Sequence, residues 1–555
     1  MTFIKSILFP FKNEQTDFWS LLFGWILIVG FGIKCFWGIQ HTMDVLLWDE
    51  TNYLRNGVNF LHKIPKNWGP IYSLWYFVLH FIQPNMLKLY FLNYQLMAII
   101  PAMVFFWFLL SRGINFFPAL LVNIFWIASS VNITVWPKVS FFCLILMLTG
   151  IIISLSFKKN TVRFFFLSFT ALCMSYARPE FYLSFLVLML LSVIVFVIEK
   201  PKIDTKNIVF LGGLLFTSVI LHIVLGSPLF GDSRSVTAFA QHYMLNYYQW
   251  KQIDLPFWMN WKDSFDQVFK NAETFGDVVK NNPAEFQKHI LSNTSGYTVQ
   301  FNRDVSDILL PKKIFHLQSW LRWLLFLTII IVFAGIKGFT QYFSSIKKGI
   351  SNNFPVLFIL LSFSFPAFIS AILIYPREHY FILQLPFILF FLMILFFDEN
   401  SAKNNAKNKI PLTIILIGGL MFLSPGAKDF RYFNLWNDDF IGSQPNLHTI
   451  RYLQTQYHTS KNEINILENE GGINSYLGKK YKWQRGFSKD TGWNLFLREK
   501  NIDIIYVTPL LRNDPRFVKD PEWQNFVKNP EKNGFITIKT GNFDAYLLIK
   551  KESLQ

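Results

Sequence analysis

Charge is scarce in this chain. Only 16% of its 555 residues are Asp, Glu, Lys or Arg, where a soluble globular protein carries about 25%. That shortage excludes an ordinary soluble domain, and a hydrophobic content of 52% with 63 Phe points the same way. Cysteine is almost absent. Cys35, Cys143 and Cys173 all lie inside apolar stretches, so neither a structural disulfide nor a cysteine-ligated metal is expected. Acidic residues are the scarcer sign, 35 against 52 Lys and Arg. The resulting +17 is scattered through short loops rather than gathered in blocks. This argues against nucleic-acid binding and fits a positive-inside topology with attraction to anionic lipid. No internal repeat of about 20–50 residues is found. No Asp or Glu falls centrally in an apolar stretch and Lys34 lies near an end, which argues against a transporter built on midplane charge.

What is present is a series of apolar blocks of roughly 17–25 residues, the length that crosses a ~30 Å hydrocarbon core as a helix. They are continuous rather than alternating, so helices and not a β-barrel are expected. About eleven spans are read: 18–38, 87–110, 116–132, 138–157, 162–176, 181–198, 207–226, 318–338, 354–375, 379–397 and 410–424. The first is too long for the apolar core of a cleavable leader and reads as a signal anchor. Pro70 to Ile82 is apolar, aromatic and too short to cross, and is expected in the interface. With Lys5 and Lys12 in the cytoplasm, the inner loops hold Arg112, then Lys158, Lys159 and Arg163, then Lys200, Lys202 and Lys206, then Lys347 and Lys348, then Lys403, Lys407 and Lys409. Short outer loops hold isolated charges: Lys138, Arg178 and Arg377. The expected fold is a polytopic α-helical membrane domain over 1–424, with large outer loops at 39–86 and 227–317. A soluble α/β domain follows over 425–555, outside the cytoplasm. In that tail, strand-type runs lie at Ile464 to Leu467, Ile502 to Thr508, Gly534 to Lys539 and Ala545 to Lys550, with helical patterns near 491–500 and 521–529.

Three groups of ionisable residues fall at outer ends of these spans. Asp49 and Glu50 follow the first span in Trp48-Asp49-Glu50-Thr51-Asn52-Tyr53. Arg178 and Glu180, with Pro179 between them, lie between the fifth and sixth. Arg377, Glu378 and His379, after Pro376, lie between the ninth and tenth. A single such group is most simply an interfacial charge. Three on one face, two with a proline fixing the local turn, point to a site. A carboxylate can take the proton of an attacking hydroxyl, and an arginine fork suits a phosphate oxygen. A base with a phosphate clamp describes displacement of a phosphate leaving group by an alcohol. Nucleotide sugars are not expected on the outer face, so the donor there would be anchored in the membrane as a lipid phosphate.

Other candidates are weaker. Asp232 and Arg234 could touch an acceptor but read as a solvated pair, and Asp438-Asp439 reads as an exposed turn. His41, His62 and His80 lack ligand spacing. Asn132-Ile133-Thr134 and Asn293-Thr294-Ser295 match the glycosylation sequon, which arises by chance in an Asn-rich chain. Ser401 to Lys409 reads as a polar cytoplasmic loop.

The Asp49-Glu50 pair, then Tyr53 and Gly57, then Trp68-Gly69-Pro70-Ile71-Tyr72 leading an interfacial helix, resemble the GT-C superfamily of membrane glycosyltransferases. That group includes protein O-mannosyltransferases and lipid A aminoarabinose transferases. Arg178-Pro179-Glu180 is similar to its Arg-Pro-Glu motif. Pro376-Arg377-Glu378-His379-Tyr380 with Pro386 is similar to its Arg-x-x-Tyr region, and Asp520-Pro521-Glu522-Trp523 to a tail motif of bacterial members. The resemblance implies an inverting transfer from a polyprenyl-phosphate sugar to a hydroxyl of a lipid, glycan or protein. Asp49 would be the base, Glu50 would orient the site, and Arg377 with Arg178 would hold the donor phosphate. Tyr53 would line the sugar pocket, with Glu180, His379 and Tyr380 beside the donor. No cofactor is implied: Asp49-Glu50 stands where metal-dependent relatives carry Asp-x-Asp, which argues against a required metal and leaves an accessory divalent ion open. Where many relatives have Lys-Pro-Pro, this chain has Asn67-Trp68-Gly69-Pro70, with Lys66 offset. The implied location is a bacterial cytoplasmic (inner) membrane, multi-pass, with the N-terminus cytoplasmic and the tail periplasmic or extracellular. An O-antigen polymerase or ligase is the nearest alternative. A polyprenyl-linked glycan transporter and a non-catalytic scaffold are further ones.

Overall fold

The computed structural model describes residues 18–66, 69–133, 137–199, 205–228, 234–253, 257–396, 410–424, 426, 444–457, 459, 461–484 and 492–554. It is mostly helical, with one small sheet near the C-terminus. The chain divides into two compact units. One comprises Met1–Trp37, Ile64–Leu74 and Tyr94–Gly426, and the other Gly38–Lys63, Trp75–Asn93 and Ala427–Gln555. Asp232, Asp438-Asp439, Asn67-Trp68 and the run 401–409 lie outside the described residues.

Among the described residues, seven helices are long and apolar enough to cross a membrane: Phe18–His41, Met86–Ser111, Phe181–Ile198, Asn207–Leu225, Ser319–Lys337, Phe339–Leu373 and Glu378–Phe396. Four other expected spans form shorter helices, Phe116–Ala128, Val139–Ser154, Asn160–Ser175 and Ile410–Leu423, of 13 to 16 residues. At 1.5 Å per residue these reach roughly 20–24 Å, short of a ~30 Å core. The helix Phe339–Leu373 has 35 residues and begins well before the expected span at 354. Phe339, Phe343, Ile346 and Ile350 recur at helical spacing there, so Lys347 and Lys348 sit on a helix rather than in a loop. Lys34 donates to the carbonyl of Ser424 and, at 2.8 Å, to its hydroxyl. Arg112 donates through Nε and Nη2 to Asn353 Oδ1 at 2.8 and 2.6 Å.

The segment 227–317, expected as a polar outer loop, is largely helical. It forms Arg234–Lys251, Phe257–Phe269, Phe275–Asn281 and Pro283–Leu309. Its caps are local and sequence-encoded. Thr274 and Asp277 form a reciprocal capping box, and Asn282 accepts from Glu285 N just ahead of Pro283. The helices enclose an aromatic core in which Phe239 and Tyr243, one turn apart, pack against Phe265, Phe269 and Val278. The long helix Pro283–Leu309 is amphipathic in an unusual sense. Its buried residues include His289, Asn293, Gln300, Asp304 and Asp307, one polar stripe at helical spacing. It packs against Phe116–Ala128, Ser319–Lys337 and Phe339–Leu373. Asp307 anchors it: one oxygen accepts from Ser130 N and Oγ at 2.7 Å each, the other from Lys312 N at 2.7 Å and Arg322 Nη1 at 2.8 Å.

In the second unit a five-stranded sheet is ordered β2-β1-β3-β5-β4, with β1 (Ile464–Leu467), β2 (Tyr481–Gln484), β3 (Ile504–Val507), β4 (Phe535–Ile538) and β5 (Tyr546–Lys550). β1 is parallel to β2 and β3, and β5 is antiparallel to β3 and β4. β1 coincides with the expected run, and β3, β4 and β5 fall inside theirs. β2 is an edge strand, Tyr-Lys-Trp-Gln, that no apolar run announced. β1 and β3 are buried at every residue, as parallel strands covered on both faces require. Trp493 and Trp523, with ring centroids 4.6 Å apart, lead the core on one face. The Asp520-Pro521-Glu522-Trp523 motif is structural. Asp520 accepts from Glu522 N at 2.8 Å and Trp493 N at 2.9 Å, and Glu522 from Asn494 N at 2.9 Å. The two carboxylates thus cap two helices at once.

Candidate functional site

The sequence-derived site residues fall into the two units. Asp49, Glu50 and Tyr53 belong to the second, and Arg178, Glu180, Arg377, His379 and Tyr380 to the first.

Asp49 and Glu50 open the helix Asp49–Val58, where carboxylates suit the first turn. Their environments differ. Glu50 is 4% exposed, and its Oε1 accepts from Tyr76 OH at 2.5 Å and Asn93 Nδ2 at 3.0 Å. Asn93 Nδ2 also lies 2.8 Å from Tyr76 OH, and Asn93 Oδ1 accepts from Trp75 Nε1 at 2.8 Å. Three helices thus converge on one carboxylate. Asp49, one residue earlier and turned about 100° around the helix, is half-buried. Tyr53, one turn further along from both carboxylates, is buried. Thr51 donates to Leu46 O at 2.6 Å and shares a 2.6 Å hydrogen bond with Tyr476 OH.

Beneath this helix lies a group the sequence did not single out. Asp44, 4% exposed, accepts from the backbone N–H of Val45 (2.9 Å), Asn446 (3.0 Å) and Leu447 (2.8 Å). It closes the N-terminus of the helix Pro445–Thr455. Gln444 and Asn446 return amide hydrogen bonds to Met43 O at 2.9 Å and Val45 O at 3.1 Å. Burial pushes the Asp44 carboxyl up to about 6, against the pull of the three N–H donors. Glu468, which accepts from Gly472 N and Ile473 N, is raised by burial to about 7, as is Glu470, where burial and then Asp44 are the causes. Among the described residues no group of three His, Cys, Asp or Glu is placed to hold a metal ion.

In the first unit, Pro179 stops the helix Asn160–Ser175 from running into Phe181–Glu199 and leaves Arg178 in the turn. Arg178 is 9% exposed. Its Nε contacts Glu180 Oε1 at 2.5 Å, its Nη1 donates to Ser140 Oγ at 2.6 Å, and its guanidinium lies 4.7 Å from the Tyr380 ring centroid. His379 packs on Tyr380 at 4.3 Å. Arg377 stands 6.0 Å from the Tyr375 ring. Glu378 is buried and pairs with Arg303 Nη2 at 3.2 Å, whose Nε contacts Asp304 Oδ1 at 2.8 Å. Gly296 allows this: a Cβ there would meet Pro376 Cγ at 3.1 Å. Lys138 is also buried, donating to Asn132 O at 2.9 Å with the Tyr94 and Phe141 rings at 4.1 and 4.2 Å. Arg178, Glu378 and Lys138 are fixed, bonded charges rather than solvated interfacial ones. Both sequon asparagines are buried at about 1–2% exposure and hydrogen-bonded, Asn132 to Ala98 O and Asn293 to Ile372 O.

The sequence missed the partners: Tyr76, Asn93, Ser140, Arg303, Asp304 and Asp44. The polar residues inside apolar helices, Ser140 and Asn93, were the available signal. No protein-family model matches the chain, and no curated protein matches it in sequence.

Proposed function

We propose that the protein is a membrane glycosyltransferase of the GT-C type, moving a sugar from a polyprenyl phosphate to a hydroxyl of a lipid, glycan or protein acceptor. The acceptor oxygen attacks the anomeric carbon, the bond to the phosphate oxygen breaks, and polyprenyl phosphate leaves with inversion. Asp49 takes the hydroxyl proton. Arg178 and Arg377 hold the phosphate as its charge grows, with Tyr380 and His379 beside them. Glu50 positions the turn and Tyr53 supports the sugar side. The observation that carries the reading is the contrast between the two carboxylates. Glu50 is buried and Asp49 half-buried on the same first turn, so of the two acids Asp49 is the more accessible to an acceptor hydroxyl. The buried arginine pinned by Glu180 and Ser140 supports the phosphate role.

On this reading the four shorter apolar helices join the seven long ones as membrane segments. The reacting face lies outside the cytoplasm of a bacterial inner membrane, with the N-terminus inside. The test uses the purified chain in lipid with a panel of polyprenyl-phosphate sugars and a membrane extract as acceptor. Release of polyprenyl phosphate is followed for wild type and Asp49→Asn. Wild-type release that falls about 10²–10⁴-fold in the variant is expected for loss of a general base. Equal release by both removes Asp49 from the mechanism. No release with any donor, by folded protein, turns the reading toward a polymerase, ligase or transporter.

A further inference from the structure

His242 lies on the helix Arg234–Lys251, within the segment 227–317. Its helix neighbours Phe239 and Tyr243 point into the aromatic core, which turns His242 toward a different surface. There its ring faces Tyr375 at 5.7 Å. Arg377 approaches the same tyrosine, with its guanidinium 6.0 Å from the ring, and its backbone N–H donates to Tyr375 O at 2.9 Å. Tyr375 therefore carries an imidazole and a guanidinium on its flanks, in one compact unit.

The tautomer of His242 follows from its partner. Nδ1 stands 2.6 Å from Ala238 O. A carbonyl oxygen has no proton to give, so Nδ1 carries the hydrogen and Nε2 carries the lone pair. Burial and then Arg377 push the imidazole down to about 3, so the ring stays neutral. Among the described residues no hydrogen bond is made to Nε2, and the residue is half-buried rather than fully enclosed. A neutral acceptor with a fixed tautomer beside an arginine cannot bind an anion. It can accept a hydrogen bond from a hydroxyl.

Resting on the donor reading above, we infer that His242 Nε2 accepts a hydroxyl of the sugar carried by the polyprenyl phosphate that Arg377 holds. A group next to the phosphate clamp meets either the sugar or the first isoprene unit. An isoprene has no proton to offer, whereas a sugar ring presents several.

The experiment measures Kd of the full chain in nanodiscs for two kinds of probe: bare polyprenyl phosphate, and polyprenyl phosphates bearing glucose, mannose or arabinose. Wild type is expected to bind at least one sugar-bearing lipid more tightly than the bare one. His242→Phe is expected to lose about tenfold on that lipid, the scale of one hydrogen bond, with bare polyprenyl phosphate unchanged. His242→Gln, which keeps an acceptor oxygen, is expected to recover part of the loss. Arg377→Ala should weaken both probes. Unchanged sugar-lipid binding by His242→Phe overturns the inference, as does equal loss on both probes, which would mark His242 as structural. Wild type binding both probes equally also overturns it while leaving the donor reading intact. Binding of neither probe by folded wild type overturns the donor reading itself, and the inference with it.

Discussion

The pH dependence of the second unit follows from its buried carboxyls. Asp44 has its carboxyl raised from the ordinary 3.8 to about 6, chiefly by burial, and Glu468 from 4.5 to about 7 for the same reason. A carboxyl raised on folding binds its proton more tightly in the folded chain. Stability is therefore fully present below the unfolded value and is lost as pH rises through the folded one. For Asp44 the window runs from about 4 to about 6, and the shift of about two units corresponds to roughly 3 kcal/mol at most. Glu468 acts in the same direction from about 4.5 to about 7. The perturbation is a pH series from 4.5 to 8 on the full chain in lipid. The assay is amide hydrogen exchange, corrected for intrinsic rate, on peptides covering Pro445–Thr455 and Ile473–Leu477, the helices these carboxyls cap. Protection is expected to fall by one to two orders of magnitude as pH rises to 8. Asp44→Asn should flatten the response in the first peptide, because a neutral amide mimics the protonated acid. Protection that rises with pH, or that stays constant in wild type, would refute the reasoning.

Two further outcomes follow from single side chains. Asn93→Leu removes one of the donors to Glu50 and the acceptor of Trp75, at about 1–3 kcal/mol for a buried charge-assisted bond; on the proposed glycosyltransferase function, turnover should drop about 10–100-fold with donor Kd little changed, and loss of donor binding instead would contradict a positioning role. Asp307→Ala leaves Arg322, 3% exposed, without its carboxylate, at about 3–5 kcal/mol; a thermal unfolding scan in detergent should show a large drop in midpoint, and an unshifted midpoint would deny the anchor.

Much of this architecture was legible because it rests on long apolar runs and on β-branched clusters. Ile464–Leu467 was readable to the residue, since Ile-Asn-Ile-Leu is bounded by charge on both sides. For 116–132 and 138–157 the helices, Phe116–Ala128 and Val139–Ser154, are shorter than the apolar blocks. Hydropathy measures how apolar a block is, while polar residues such as Ser129 and Ser156 end the helix early by bonding their own backbone, to Trp126 O and Ile153 O. The segment 227–317 was opaque for the opposite reason. Its Asn, His and Asp residues looked solvated, but on Pro283–Leu309 they form the buried face. At the site, Asp49, Glu50 and Arg178 stood out as charges beside apolar spans. Their partners did not, because Tyr76 and Asn93 in one unit and Ser140 in the other are ordinary residues until each is set beside its own charge. Asp44, a lone acid between Met43 and Val45, carried no local pattern at all.

The Asp44 seat also sets a schedule for biosynthesis. Its N–H donors at Asn446 and Leu447 lie 402 and 403 residues further along the chain. At about 5–20 residues per second, the ribosome needs roughly 20–80 s to supply them. Throughout that interval Asp44, five residues ahead of Asp49, lacks two of its three N–H donors. The segment ahead of Asp49 is therefore completed only when the tail arrives, so on the proposed function a nascent chain stalled before residue 446 would lack activity.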